Sequence, residues 1–197
     1  GDLRGWLERN HPEVLITSSG HTIEVYKEIG LPASVLERFD VEHMGGTHAL
    51  GHTRMATESA VTTEGAHPFN TGDDLCLVHN GSLSNHHRLR EWLHHNAGIT
   101  FQTDNDSEVA AAYLTWRMRE GASLSQALEA ALHDLDGFYT FAIGTQDGFS
   151  VLRDPIACKH AIMAETDDWV AMATEYRALA RLPGVKDATV WEPKPAT

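Results

Sequence analysis

Cysteine is nearly missing from this chain of 197 residues, which has only Cys76 and Cys158. Both lie in apolar stretches and nothing in the chain signals secretion, so two buried free thiols are expected rather than a disulfide. No apolar run approaches the roughly 18 residues needed to cross a bilayer. The opening Gly-Asp-Leu-Arg-Gly-Trp has neither the basic flank nor the apolar stretch of a signal peptide. Basic side chains are scarce as well: 15 Lys and Arg stand against 28 Asp and Glu, a formal net charge of −13. So acidic a surface argues against a nucleic-acid backbone as the main partner. Repeats, linkers and low-complexity segments are also missing. Together these absences point to one cytoplasmic domain over residues 1–197, with neither nucleic acid nor membrane as partner.

What the chain does contain is 42% hydrophobic residues in short, regularly spaced runs, and 13 histidines that make its charge sensitive to pH near 6 to 7. The pattern predicts a short helix to about residue 10, strands over 14–18 and 22–28, and a helix from Pro32 to about 39. A strand over 47–54 then leads into an aperiodic stretch, 55–72, long enough to be functional or disordered. A strand over 74–79 ends in Asn80-Gly81, and Ser84 caps a helix over 85–95. A strand over 99–102 precedes two amphipathic helices, 106–119 and 123–135. Strands follow over 139–144, 149–153, 161–164 and 169–174, then a helix over 175–182 and a strand over 188–191. Strands, a helical pair and strands again make an α+β plan.

Three polar segments sit at the ends of these elements. In Gly51-His52-Thr53-Arg54-Met55-Ala56-Thr57, Arg54 closes a strand, and its planar guanidinium can grip a carboxylate with two hydrogen bonds. The bland alternative is a surface arginine. In Val78-His79-Asn80-Gly81-Ser82, Asn-Gly is commonly just a turn, but an asparagine amide beside a glycine N–H also makes an oxyanion hole. In Thr103-Asp104-Asn105-Asp106-Ser107-Glu108, helix capping by Asp104 or Asp106 accounts for the composition. The functional alternative sets one carboxylate against a substrate ammonium group.

The order Gly-His-Thr-Arg-Met-Ala-Thr, Ala-His-Pro-Phe, Leu-Val-His-Asn-Gly-Ser-Leu-Ser-Asn, Thr-Asp-Asn-Asp-Ser-Glu resembles the class II glutamine amidotransferases, which are N-terminal-nucleophile hydrolases. Later segments fit too: Leu135-Asp136-Gly137-Phe138-Tyr139, Val151-Leu152-Arg153-Asp154-Pro155, and Ala173-Thr174-Glu175-Tyr176-Arg177-Ala178-Leu179. The resemblance spans residues 14–191. It is greatest, in segments 51–59 and 190–196, to the small subunits of glutamate synthase-like and N-methylglutamate synthase systems. It implies a four-layer αββα sandwich that hydrolyses the side-chain amide of L-glutamine and hands ammonia to a synthase subunit or fused domain. It further implies that Arg54 binds the α-carboxylate of glutamine and Asp106 its α-ammonium group. Asn80 and the Gly81 N–H would form the oxyanion hole, with Thr57 and His67 lining the pocket. Met55 stands where several family members carry an aromatic residue. No cofactor is implied.

The family's nucleophile is a cysteine at the mature N-terminus, with its own α-amine as base. Residue 1 here is glycine, and Cys76 sits mid-strand in Leu75-Cys76-Leu77. The expectation is that the chain is an incomplete domain lacking the nucleophile segment, inactive alone. The alternative function is a non-catalytic glutamine-binding or assembly domain of the same fold. A metal site is the remaining rival: His48 and His52 are four apart, and His86, His87, His94 and His95 share a helix. No acidic partner lies at a recognised metal-site spacing, so no metal is expected.

Overall fold

The computed structural model describes residues 3–14, 16, 18, 20–53, 61–72 and 74–197. Its centre is a three-stranded antiparallel sheet in the order β1-β2-β3, built from β1 (Leu75–Leu83), β2 (Gly137–Thr145) and β3 (Gly148–Arg153). The first two strands pair over their whole length, from Leu75 opposite Thr145 to Leu83 opposite Gly137. Side chains alternate across a strand, so Leu77, Leu83, Tyr139, Phe141 and Ile143 share one face. They pack there with Leu93, Val109, Tyr113, Leu114, Ala127 and Ala131 of three helices. These helices are α3 (His86–Ala97), α4 (Asp106–Arg119) and α5 (Leu124–Asp134), following α1 (Leu3–Asn10) and α2 (Pro32–Arg38).

The amphipathic reading of the two central helices holds only for α5, which a Ser123–Gln126 capping box starts. In α4, nine consecutive residues from Ser107 to Thr115 are buried. The helix lies between β1, α3 and α5, and Ala110-Ala111-Ala112 lets these neighbours approach it on every side. Such a helix has no solvent-facing stripe.

A second sheet places β4 (Ile162–Glu165) between β5 (Val170–Ala173) and β6 (Thr189–Trp191), all antiparallel. Ala164 packs there with Leu179 of the one-turn helix α6 (Tyr176–Leu179) and with Val185. Helices on one sheet and a short helix on the other give the helix–sheet–sheet–helix plan, thin on its second side. Arg153 joins the two halves. Its guanidinium donates to the carbonyls of Pro193, Ala157 and Lys159 at 2.8, 2.7 and 3.1 Å. The fully buried Asp154 accepts the N–H groups of Ile156 and Ala157.

Among the described residues, four expected strands are not found. Residues 22–28 and 99–102 have strand-like composition, yet side-chain carboxylates take the place that a neighbouring backbone would fill. Asp74 accepts the N–H groups of His21, Thr22 and Ile23 at 2.8–3.1 Å. Glu108 accepts those of Gln102 and Thr103, both at 2.8 Å. The described residues of 14–18 and 47–54 are in no ladder either. Asn80-Gly81, read as the end of a strand, lies inside β1, which runs on to Leu83. Asn85 rather than Ser84 occupies the start of α3, and it binds Asp134 O and the Asp136 N–H. Both cysteines are free, but only Cys76 is buried. Cys158 is exposed because it lies in the connection between β3 and β4.

Asp74 holds a positive φ of 48° so that its carboxylate reaches three successive amides. Those amides keep its carboxyl well below the usual carboxylate range. Replacing Asp74→Ala should speed amide hydrogen exchange at His21, Thr22 and Ile23 by about tenfold or more while leaving β1 amides protected. Unchanged exchange at the three amides would show that Asp74 does not hold this segment.

Candidate functional site

The outer edge of β1 organises the site. In an antiparallel ladder the N–H and C=O of one residue point to the same side, alternating along the strand. Leu77 uses its outward groups in a bridge with Phe69, at 2.8 and 2.9 Å. The outward groups of His79, Gly81 and Leu83 therefore point the same way. The Leu83 N–H donates to Asp106 Oδ2 at 2.9 Å. Between these two closures the Gly81 N–H is aimed off the sheet edge, and Gly81 is exposed. Its φ is +149°, and a Cβ there would lie 2.0 Å from the Phe138 carbonyl oxygen. Only glycine fits this position. Asn80 is half-buried and projects to the other face of β1 from His79.

The carboxylates of α4's first turn build the wall facing this edge. Asn105 caps the helix by accepting the Ser107 N–H at 2.9 Å. Glu108, 5% exposed, accepts two amides and the Thr103 hydroxyl, which fixes the preceding turn. Arg90 donates to the carbonyls of Thr103 and Asn105 and lies over the Phe101 ring. Held from both sides, Asp106 has one oxygen on Leu83 and the other, Oδ1, 3.7 Å from His79 Nδ1. The cap is therefore Asn105 rather than Asp104 or Asp106, and this capping is what aims Asp106 at β1.

Beneath Gly81 lies a cluster that joins three segments. Ser107 Oγ is 2.9 Å from His67 Nε2 and 2.9 Å from His79 Nδ1. The His67 ring lies 4.1 Å from the His52 ring, tilted by 31°. One residue, Thr53, separates His52 from Arg54 in the sequence, but Arg54 and Thr57 themselves lie outside the described residues. The structure thus brings His67, Asp106 and Gly81 to one end of β1, with Asn80 beside them on the strand.

A family model described as a glutamine amidotransferase domain matches residues 52–181 of the chain. The chain belongs to the glutamine amidotransferase domain family. It is 62% identical over 196 residues to the glutamine amidotransferase-like protein GlxB of Rhizobium meliloti, covering 100% of this chain and 65% of that protein. A second relative, named a glutamine amidotransferase of Methanothermobacter thermautotrophicus, is 36% identical over 83% of this chain and 54% of its own. Among solved structures, glutamine phosphoribosylpyrophosphate amidotransferase from B. subtilis matches with a TM-score of 0.73 and 30% identity. That match covers 91% of this chain and 38% of the other. The fold is therefore the N-terminal-nucleophile type that the motifs implied. This chain spans about two-thirds or less of the relatives it matches.

Two features of this amidotransferase domain are given no role by the motifs. Lys27, from an irregular segment, donates to the Glu64 carbonyl at 2.9 Å and lies 4.6 Å over the Phe69 ring. Burial pushes its amine down to about 8, against the pull of Glu108 and Glu64. A lone lysine outside any periodic element gives no signal in the sequence. His79 stands inside a motif that assigns it no role. It is 5% exposed, and its ring meets Phe141 edge-on at 5.0 Å. Among the described residues, no group of three or more His, Cys, Asp or Glu is placed to hold a metal ion.

Burial holds the His79 imidazole down to about 4; Asp106 opposes this, while His52 and Lys159 act in the same direction as burial. An unfolded histidine titrates near 6.5, so on acidification the unfolded chain takes the proton first. His79 therefore withdraws stability as pH falls from about 6.5 to about 4, by up to a few kcal/mol. Thermal unfolding of His79→Gln should show a flatter acid limb across that window than the parent. Parallel acid limbs would place the titrating group elsewhere.

Proposed function

We propose that this domain hydrolyses the side-chain amide of L-glutamine to glutamate and ammonia, and that the ammonia passes to a synthase site in a partner subunit or fused domain. The observation that carries this reading is the Gly81 N–H, aimed off the β1 edge between the Phe69 bridge and the Asp106 carboxylate. Free glutamine is a zwitterion, so its capture calls for one cation and one anion at fixed separation. Arg54 supplies the guanidinium fork for the α-carboxylate. Asp106 takes the α-ammonium group, since an ionised carboxylate has roughly four lone-pair sites and Leu83 uses one. His67 and Thr57 line the pocket.

Attack on the amide carbon yields a tetrahedral oxyanion, which the Asn80 amide and the Gly81 N–H receive. Each such donor contributes typically about 3–4 kcal/mol to the transition state. The attacking group in this mechanism is a cysteine thiolate with a free α-amine as base. Neither cysteine here suits that role. Cys76 lies buried in β1 with its thiol pushed up by burial, the reverse of an activated nucleophile, and Cys158 lies in the β3–β4 connection. We assign the nucleophile to a part of the native protein outside these residues. Transfer to a synthase site is supported by longer relatives, among them proteins named amidophosphoribosyltransferase in Archaeoglobus fulgidus and glutamine–fructose-6-phosphate aminotransferase in Vibrio vulnificus.

The native full-length protein should release glutamate from glutamine. In it, Asn80→Ala should lower kcat by about 10²–10³, and near-normal turnover would reduce Asn80-Gly81 to a structural feature of β1. Arg54→Ala should instead raise the KM for glutamine at least about 100-fold, the loss of a bidentate charged pair, and an unchanged KM would remove Arg54 from the pocket. Glutamine binding without glutamate release by the parent would favour the non-catalytic glutamine-binding alternative.

A further inference from the structure

Ser107 is the second residue of α4, where a serine ordinarily faces water, yet it is 2% exposed. Burying a hydroxyl is unfavourable unless its hydrogen bonds are made. Here there are contacts enough for every one of them. Oγ lies 2.9 Å from His67 Nε2, 2.9 Å from His79 Nδ1 and 3.4 Å from Asp106 Oδ1. A hydroxyl has one proton to give and two lone pairs to share.

One distribution of protons satisfies all three contacts. An ionised Asp106 cannot donate, so the Ser107 proton goes to Oδ1. Both imidazoles then donate to Oγ, through His67 Nε2–H and His79 Nδ1–H. This leaves a bare lone pair on His79 Nε2. That atom is buried without a hydrogen-bond partner, and a lone pair is the less costly group to leave so, because a buried orphan N–H is the rarer and more penalised case. Sending the serine proton to either ring would instead leave the carboxylate oxygen facing the hydroxyl lone pairs.

One oxygen atom thus ties together the loop at His67, β1 at His79, and the start of α4 at Asp106. On the functional reading above, on which this inference rests, His67 and Asp106 face glutamine and His79 precedes Asn80. We propose that Ser107 is a positioning residue for glutamine: without touching the substrate, its hydroxyl fixes the His67 ring and the Asp106 carboxylate relative to the oxyanion edge of β1. Both groups it holds contact bound glutamine before the amide reacts. Removing the hydroxyl therefore weakens ground-state and transition-state binding alike, which raises KM and leaves kcat in place.

The test uses the native full-length protein with Ser107→Ala, Ser107→Thr and Ser107→Cys. Ser107→Ala should raise the KM for glutamine about tenfold or more with kcat within about threefold, and Ser107→Thr, which keeps the hydroxyl, should restore KM. A KM within twofold of the parent in a folded Ser107→Ala protein overturns the proposal. So does a raised KM that a folded Ser107→Thr protein fails to restore. Should threonine not fit the buried site, the near-isosteric Ser107→Cys should give an intermediate KM, and a parental KM there overturns the proposal equally. Nitrogen-15 imidazole spectra give a readout independent of catalysis: the parent should show His79 protonated on Nδ1, and Ser107→Ala should lose that signature. A parent with His79 protonated on Nε2 overturns the network even if turnover is normal. Absence of both glutamine binding and glutamate release in the parent, with the Nδ1 signature present, would instead sink the functional reading and leave the hydrogen-bond network standing.

Discussion

One carboxylate–amide bond sets the geometry of this domain's working end: Asp106 Oδ2 to the Leu83 N–H. It fixes where α4 begins relative to the edge of β1; Asn80 and Gly81 are placed from β1, and His67 is held from α4 through Ser107. Gly81 is two residues before the amide that is held, and Ser107 is one residue after the carboxylate that holds it. The bond is also the reason the exposed strand edge is safe. A free row of backbone N–H and C=O groups invites pairing with another chain. The Phe69 bridge closes one end of the row and Asp106 the other, so only a short gap remains.

The same substitution of side chain for backbone recurs through the molecule. Asp74 takes three amides, Glu108 two, Asp154 two, and Arg153 three carbonyls. Each serves a stretch of chain that is neither helix nor ladder, and so would otherwise leave backbone groups without partners. Buried or half-buried charges of this kind are costly to desolvate. They persist here because each makes several charge-assisted bonds at once. The acidic excess of the composition is partly this internal use of carboxylates.

That use also explains which parts of the fold were legible in the sequence. Helices and the strands of both sheets were read within a few residues, because their periodicity comes from burial on one face or both. Residues 22–28 and 99–102 were misread as strands because composition cannot show that Asp74 and Glu108 have replaced a neighbouring strand. At the site, motif order pointed to Asn80, Gly81, His67 and Asp106, and the structure gathers them at one end of β1. His79 and Ser107 lie within those motifs, but they meet in a three-way contact between segments up to 40 residues apart, which no local pattern signals. Lys27 had no local signal at all.

The ladder between β1 and β2 has a consequence for how the chain comes to be folded during its synthesis. Its two strands are separated by residues 84–136, the stretch that contains α3, α4 and α5. Closing so long a loop must precede any gain from pairing, which slows folding. On a ribosome, β1 emerges with no more than the single Phe69 bridge and waits for three helices and then β2 to follow. The wholly buried α4 cannot help it early, since that helix in turn needs the sheet to cover it. The edge bearing Asn80 and Gly81 therefore comes into existence only once nearly three-quarters of these residues have been made.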